Sequence, residues 1–394
     1  AGVTKITIRP GFDWGPDKTE RHTLDTGLFD PRGCGFGGPG FRGWAGGNSE
    51  EIIVTGDHTT TGRFYVPGPL YPGTWNIVQR FLRSTKAGLN YTYTITFSFD
   101  GPKPPSTAAS VPVCDQGIIE PSSGWYPGDM HMHTIHSDGN KTLAQSIEQH
   151  ESQGYRFMVS TDHNTCTAHY DFADAAKSHS KTLLICGEEF TSSAGHANLV
   201  GMRPGSWVDF RFDVGDNKIA DTIDAAHKLG ALFNINHPCS IKWRYPQEQW
   251  AQADGIEVWN GGFGSDDAQA VLLWESQIKA GRHMGAVAGT DSHGGMPHTA
   301  TFVYAKNLSQ AAIMDGLRKQ HIFLSETPKG PMLILGSGAA LPGDTVTADS
   351  DGSVPIEVTV LSGRGRTLRI IWSSSEEKID VTTDSLKITR TLKM

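Results

Sequence analysis

Four short segments gather the residues able to hold a metal ion or move a proton: Gly-Asp129-Met-His131-Met-His133 with Ser137-Asp138-Gly139, Thr-Asp162-His163, Asn-His237-Pro, and Gly-Thr-Asp291-Ser-His293. Along an extended chain side chains repeat every second residue. His131-x-His133 therefore offers two imidazoles on one side, and Asp291-x-His293 a carboxylate with an imidazole. Glu189, with His196 seven residues on, completes a set of six imidazoles and three carboxylates without a thiolate. That mixture suits Zn, Mn or Fe rather than Ca, which prefers oxygen ligands. One His-x-His in a chain with 16 His is a weak signal, and one Asp-His pair can be a capped turn. The joint pattern is stronger, because imidazoles and carboxylates clustered without a cation would be strongly unfavourable.

Something must bring these segments together, and the elements between them explain how. Nearly every such segment follows an apolar run of strand length, and the runs are Phe157–Ser160, Leu183–Cys186, Ala231–Ile235, Ile256–Trp259 and Gly285–Ala288. Helix-period segments alternate with them: Leu143–Tyr155, Asp221–Leu229, Asp266–Ala280 and Gln310–Lys319. The alternation predicts a largely parallel sheet, open or closed into a barrel, whose C-terminal strand ends share one face. Residues 1–100 read differently, with Gly/Pro-rich stretches between period-2 runs such as Lys5–Arg9 and Tyr91–Phe99, the pattern of a small antiparallel β domain. A Pro-, Ser- and Ala-rich linker is expected at 101–125, the α/β unit at 126–328, and a second β domain at 329–394, on Val354–Leu361, Thr367–Trp372 and Leu386–Leu392.

Composition narrows the partners. The chain has 394 residues with 34 Lys+Arg against 42 Asp+Glu, a net charge of -8, and so no basic footprint for extended nucleic acid. No apolar run approaches a membrane-spanning length, so no span is expected. The sequence opens at Ala1 without Met, which suits a processed, secreted or periplasmic chain, with a cytoplasmic one as the alternative. Five cysteines form no Cys-x-x-Cys pair. Cys34 with Cys114 is one candidate bridge, and buried free thiols are the other reading. The sequons at Asn90, Asn140 and Asn307 decide nothing.

The ordered set of motifs over about 126–328 resembles the PHP (polymerase and histidinol phosphatase) family, metal-dependent phosphoesterases built on a distorted (β/α)7 barrel. Gly-Glu188-Glu189-Phe with Gly-His196-Ala-Asn resembles the family's carbaryl-hydrolase branch, as do the flanking β domains. The resemblance implies nine metal ligands: His131, His133, Asp138, His163, Glu189, His196, His237, Asp291 and His293. It implies that His131, His133 and Asp291 hold one metal and that Glu189 bridges to a second at His196 and His237. Asp138, His163 and His293 would hold a third. Glu189 is preferred to Glu188 because the family's wording is Gly-x-Glu. The implied cofactors are two or three divalent ions, and the implied activity is hydrolysis of a phosphate mono- or diester by a metal-bound hydroxide. Carboxylic ester or carbamate hydrolysis is the alternative, and a glycan-binding protein with a relic barrel is the reading outside enzymes.

Glu189, Asp291 and His136 are the residues expected in the reaction itself, His136 as proton donor to a leaving group or else as an exposed side chain. Asp129 and Asp162 are expected either to accept the second N–H of a ligand imidazole or to shape a strand-end turn. Lys242 and Arg244, after His237-Pro, are candidates to bind an anionic phosphate on a small-molecule ester, against a solvated loop. Trp243, Trp259 and Phe263 either line a pocket or belong to the core. Oligomeric state is left open.

Overall fold

The computed structural model describes residues 2–12, 23–46, 51–83, 88, 90–103, 112, 114–372 and 375–393. Its first part holds β1 (Lys5–Phe12), β2 (Thr23–Phe29), β3 (Phe41–Ala45), β4 (Ile52–Thr55), β5 (Asn76–Arg83) and β6 (Tyr91–Ser98). They form two antiparallel sheets, ordered β4-β1-β6 and β3-β2-β5. Ile6 and Ile8 of one sheet and Leu28 and Ala45 of the other bury a common core with Val54 and Tyr65, as alternating strands with one apolar face require.

The middle of the chain forms a nearly closed, barrel-like sheet of nine strands, ordered β13-β12-β11-β10-β9-β8-β7-β14-β15. These are β7 (Gly124–Asp129), β8 (Phe157–Ser160), β9 (Leu183–Ser192), β10 (Gly195–Val200), β11 (Leu232–Asn236), β12 (Gly255–Asn260), β13 (Gly285–Gly289), β14 (Ala300–Ala305) and β15 (Ile322–Ser325). Five helices accompany them: α1 (Leu143–Gln153), α2 (Phe172–Ser178), α3 (Ile219–Lys228), α4 (Ser265–Lys279) and α5 (Gln310–Arg318). α1 shows how the sequence sets an element. Thr142 and Gln145 make a capping box, and Leu143, Ser146, Ile147 and His150 bury one stripe. Gly154 then ends the helix in the left-handed conformation, with φ 101°.

The sheet is less parallel than the alternation suggests. β10 runs antiparallel to both β9 and β11, because a tight turn at Ser193–Ala194 replaces a helical crossover. β14 and β15 are antiparallel additions beside β7. Nine strands thus stand where a sevenfold repeat is expected. The ends of the sheet meet across β7 and β13: the Asp291 amide donates to the His131 carbonyl at 2.8 Å and the His133 amide to the Ser292 carbonyl at 2.9 Å. Lower down, the Thr301 hydroxyl of β14 bonds both the N–H and the carbonyl of Ala288, each at 2.8 Å.

Of the expected linker, residues 104–111 and 113 lie outside the described residues. Beyond them the segment is fastened to the barrel: Cys114 is disulfide-bonded to Cys186 of β9, Gln116 bonds Thr182 and Leu184, and β7 already begins at Gly124. The cysteine pairing differs from the candidate drawn from sequence. Cys34 is an exposed free thiol, and Cys114 pairs with a strand residue that only the tertiary fold brings near.

The last part holds β16 (Met332–Gly336), β17 (Ser353–Leu361), β18 (Thr367–Trp372), β19 (Ser375–Asp380) and β20 (Ser385–Lys393). They form a β16-β17-β20 sheet and a β18-β19 hairpin over Val358, Val360, Leu368, Ile370 and Val381. Among the described residues no helix is long and apolar enough to cross a membrane. The first β unit shares a core with the barrel, where Phe41 packs edge-on against Trp207 (4.8 Å between centroids) and Phe36 against Phe210 (5.5 Å).

Candidate metal centre

The site sits where the C-terminal ends of the parallel strands open. Past β7 the chain stays extended, so His131 and His133 fall on one side, their Nε2 atoms 3.2 Å apart. Two other ligand candidates sit at strand ends in the left-handed region, His237 at φ 25° and Asp291 at φ 49°. A side chain rarely pays that strain without surrounding contacts that enforce it, and such residues cluster at functional sites.

Glu189 is the hub. It is fully buried, and its oxygens lie 3.3 Å from His131 Nε2, 3.5 Å from His133 Nε2, 2.6 Å from His163 Nδ1, 3.1 Å from His196 Nδ1 and 3.4 Å from His237 Nε2. Asp291 Oδ1 lies 3.0 Å from His133 Nε2 and 3.3 Å from His131 Nε2. Asp138 stands at the mouth, 3.1 Å from His293 Nε2 and 3.7 Å from His163 Nε2. All nine candidates converge. Among the described residues four overlapping groups here offer ligand atoms within 4.8 Å of one another: His133, Asp138, His163 and His293; His131, His133 and Glu189; His163, Glu189 and His196; and His131, His237 and Glu257.

The electrostatics favour positive charge at the centre. Burial works to lower the pKa of His131, yet Asp291, Glu257 and Glu189 outweigh it and raise it well above the ordinary value. Burial likewise works to raise that of Glu189, and the charges of His163 and His131 drive it well below the usual carboxylate range. His133 is lowered by burial despite Asp291, while the two rings stacked on it, His163 (4.4 Å) and His293 (4.2 Å), are raised, His163 by Glu189 against its burial and His293, to about 9, by its bond to Asp138. Two further details fit a cation. Glu189 Oε2 and His237 Nδ1 are buried without a well-formed hydrogen bond, and the two facing Nε2 atoms of His131 and His133 leave at least one lone pair aimed inward. The donor set fits divalent metal ions.

No family model matches the chain, and no curated protein matches it. Among solved structures it is similar to a two-domain protein from Bacteroides vulgatus containing a predicted PHP-like metal-dependent phosphoesterase, at 17% identity over 69% of this chain and 88% of that one, with a TM-score of 0.44. It is also similar to a protein from Bifidobacterium adolescentis named for an expected metal-dependent phosphoesterase activity, at 19% identity, 42% and 87% coverage and a TM-score of 0.32. A third is an amidohydrolase from Chromobacterium violaceum with bound sulfate, at 15% identity, 42% and 87% coverage and a TM-score of 0.30.

The remaining candidates fall in different places. Asp129 accepts the His131 and Thr290 amides (3.0 and 2.9 Å), the Thr290 hydroxyl and His150 Nε2 (2.8 Å), and Asp162 accepts the Thr134 amide and hydroxyl and the Ser137 hydroxyl. Neither touches a ligand imidazole; both shape the strand-end turns. His136 is buried with both nitrogens engaged, Nδ1 at 2.8 Å from the Arg63 carbonyl and Nε2 at 2.9 Å from Asp171, so it has no free N–H for a leaving group. Lys242 is exposed, and the Arg244 guanidinium bonds the Ser193 carbonyl. Trp243 packs against Tyr245 and Trp250 in the core, Trp259 borders a crevice toward the last β unit, and Phe263 is exposed.

A cleft of about 1120 Å³ opens beside the cluster between the barrel and the first β unit. Asp138, His163, Asn164 and Ser193 form one wall, and Arg63, Arg80, Trp44 and Phe64 form the other. The sequence reading missed these first-unit residues, because nothing in period-2 patterning says which loop of a β domain will face a distant site. It also missed Glu257, although a glutamate inside the apolar run Ile256–Trp259 was a usable signal: a charge on a buried strand needs a partner.

Proposed function

We propose that the chain is a metal-dependent hydrolase, and that phosphate esters are its substrates. The observation that carries the reading is Glu189, one buried carboxylate touching five imidazoles with Asp291 and Asp138 beside them. Two or three divalent cations held by the nine ligands would supply an activated water and neutralise charge developing on the attacked group. The chain's own residues do the rest. Glu189, Asp291 and Asp138 balance the cationic charge and fix where it sits, and the closure between His131 and Asp291 makes the geometry rigid. Arg80, half-buried in the cleft wall, and Arg63 at its edge are placed to receive the non-bridging oxygens of a phosphate. Lys242 and Arg244 remain as more remote anion contacts near the Ser193 turn.

A neutral ester or carbamate with an aryl group is the second reading, favoured by Trp44, Phe64, Phe81 and Phe210 in the same cleft. The β units at 1–100 and 329–394 are proposed as domains flanking the barrel at 126–328. Assay of metal-loaded protein on aryl phosphomonoesters, phosphodiesters and aryl carbamates separates the readings. Turnover of phosphates that exceeds carbamates by at least about tenfold in kcat/KM supports the first, the reverse ranking supports the second, and no turnover on any of them with metal bound sinks both.

A further inference from the structure

Glu257 lies in β12, is buried to 2% exposure, and belongs to none of the nine ligands. Its Oε1 is 2.9 Å from His131 Nδ1, on the side of the ring away from Glu189 and Asp291. Its Oε2 accepts the His237 amide at 3.0 Å and Asn260 Nδ2 at 3.1 Å. The same Asn260 nitrogen lies 3.2 Å from Asp291 Oδ2. One strand end therefore grips three ligands: the ring of His131, the strained backbone of His237, and the carboxylate of Asp291. The room is made for it. A Cβ at Gly289 in the neighbouring β13 would collide with His131 and with Glu257 Oε1.

Of the outer ligands His163 is backed, its Nδ1 lying 2.6 Å from Thr191 Oγ1 and from Glu189 Oε2, but the other two stand open to solvent. Asp138 and His293 have side chains 60% and 41% exposed, and His293 Nδ1 bonds only the Asp291 carbonyl, at 2.9 Å. His131, by contrast, donates its Nδ1–H to a carboxylate, which fixes the tautomer that leaves Nε2 bare toward the centre and makes that nitrogen a better donor.

We propose that Glu257 and Asn260 are positioning residues that make the inner metal positions, those served by His131, His237 and Asp291, bind more tightly than the outer one at Asp138, His163 and His293. The inference rests on the metal-dependent reading above. Glu257 could instead be a ligand itself, since a carboxylate oxygen, His131 and His237 come together there. Its two oxygens are already committed to three N–H donors, however, and His131 Nδ1 cannot both donate to Glu257 and bind a metal.

The test is titration of metal-free full-length chain with Co(II), followed by visible absorption and by bound metal per chain. The wild type should show a tight and a weaker class. Glu257→Gln, which keeps volume but sets an amide N–H against the His237 amide or the His131 N–H, should bind the same number of equivalents. Its tight class should weaken by about 10–100-fold, with the d–d bands of that class shifted and the weaker class unmoved. Asp138→Asn should do the converse. An unchanged tight class in Glu257→Gln overturns the proposal, and so does loss of one whole equivalent, which would make Glu257 a ligand. If Glu257→Gln melts before it can be titrated, Asn260→Ala at its half-buried position decides: a weakened tight class supports the proposal and an unchanged one overturns it. A wild type that binds no Co(II) defeats the metal reading instead.

Discussion

Glu188 and Glu189 are neighbours on one strand with the same side chain, and β9 sends them to opposite faces. Glu189 enters the mouth of the barrel and meets five imidazoles. Glu188 enters the core, fully buried, with no well-formed hydrogen bond to either oxygen, near the equally buried Cys166. The same burial therefore has opposite results. Imidazole charges hold Glu189 ionised against its burial, while burial pushes Glu188 up to about 8, the Val208 backbone offsetting only part of it. A buried carboxylate is a charge only where its partners make it one.

The sharpest way to break this contrast is to neutralise each residue in turn. Glu189→Gln should lower kcat by several orders of magnitude and release bound metal, while Glu188→Gln should stay within a few-fold of wild type in both. Steady-state kinetics with elemental analysis check this, and the opposite ranking would move the metal to the other face of β9. Stripping the metal is the next largest change. Ligands that bind only the folded state stabilise it by about 3 kcal/mol at a hundredfold excess over Kd, so dialysis against a strong chelator should lower Tm by several degrees and re-addition of Zn or Mn should restore it. Calorimetric curves that coincide with and without chelator would leave the mouth no different from the core.

Glu188 supplies a pH test of moderate size. Its folded pKa of about 8 lies above the ordinary 4.5, so the native state holds a proton that the unfolded chain has released between those values. Stability contributed there falls as pH rises from 4.5 to about 8 and is level above. Glu188→Met removes the liability and should stabilise the protein by about 1–3 kcal/mol at pH 9, with little gain at pH 4. A gain that does not grow with pH would show that Glu188 is not held neutral. The smallest effect belongs to the cleft wall. Arg80→Ala should cost about tenfold in kcat/KM on a phosphate ester and under about twofold on a neutral ester, where no charge is being met. Lys242→Ala and Arg244→Ala should show the same preference more weakly, and equal effects on both substrates would remove the anion wall.

The convergence of the nine candidate positions was legible because chemistry and spacing coincide: His-x-His and Asp-x-His are short-range patterns, and apolar runs mark the strands that carry them. Helix positions were legible for a similar reason, as α1 shows with its cap and its buried stripe at one period. What escaped was set by tertiary contact. β10 carries His196 but was not among the expected strands, since a hairpin turn such as Ser193–Ala194 leaves no Asn-Gly signature. Asp129 and Asp162 looked like partners for imidazoles because they are near them in sequence. The partner of His131 turned out to be Glu257, 126 residues away. The Cys114–Cys186 bond spans 72 residues and could not be chosen from five cysteines alone.

His136 donates its Nδ1–H to the Arg63 carbonyl of the first β unit at 2.8 Å. It joins the loop that carries three of the candidate ligands to the unit that supplies the far wall of the cleft, and Phe36, Phe41 and Trp44 continue the barrel's core into that unit. The barrel is therefore not a portable cassette. Yet the division is clean, since the nine candidate ligands all come from one unit and the opposing wall from the other. In the proposed hydrolase, substitutions among Arg63, Phe64, Arg80 and Phe81 would redraw which molecules are accepted without disturbing how a bond is cut, and a lineage or an engineer could explore new substrates on that wall while the cutting apparatus stays fixed.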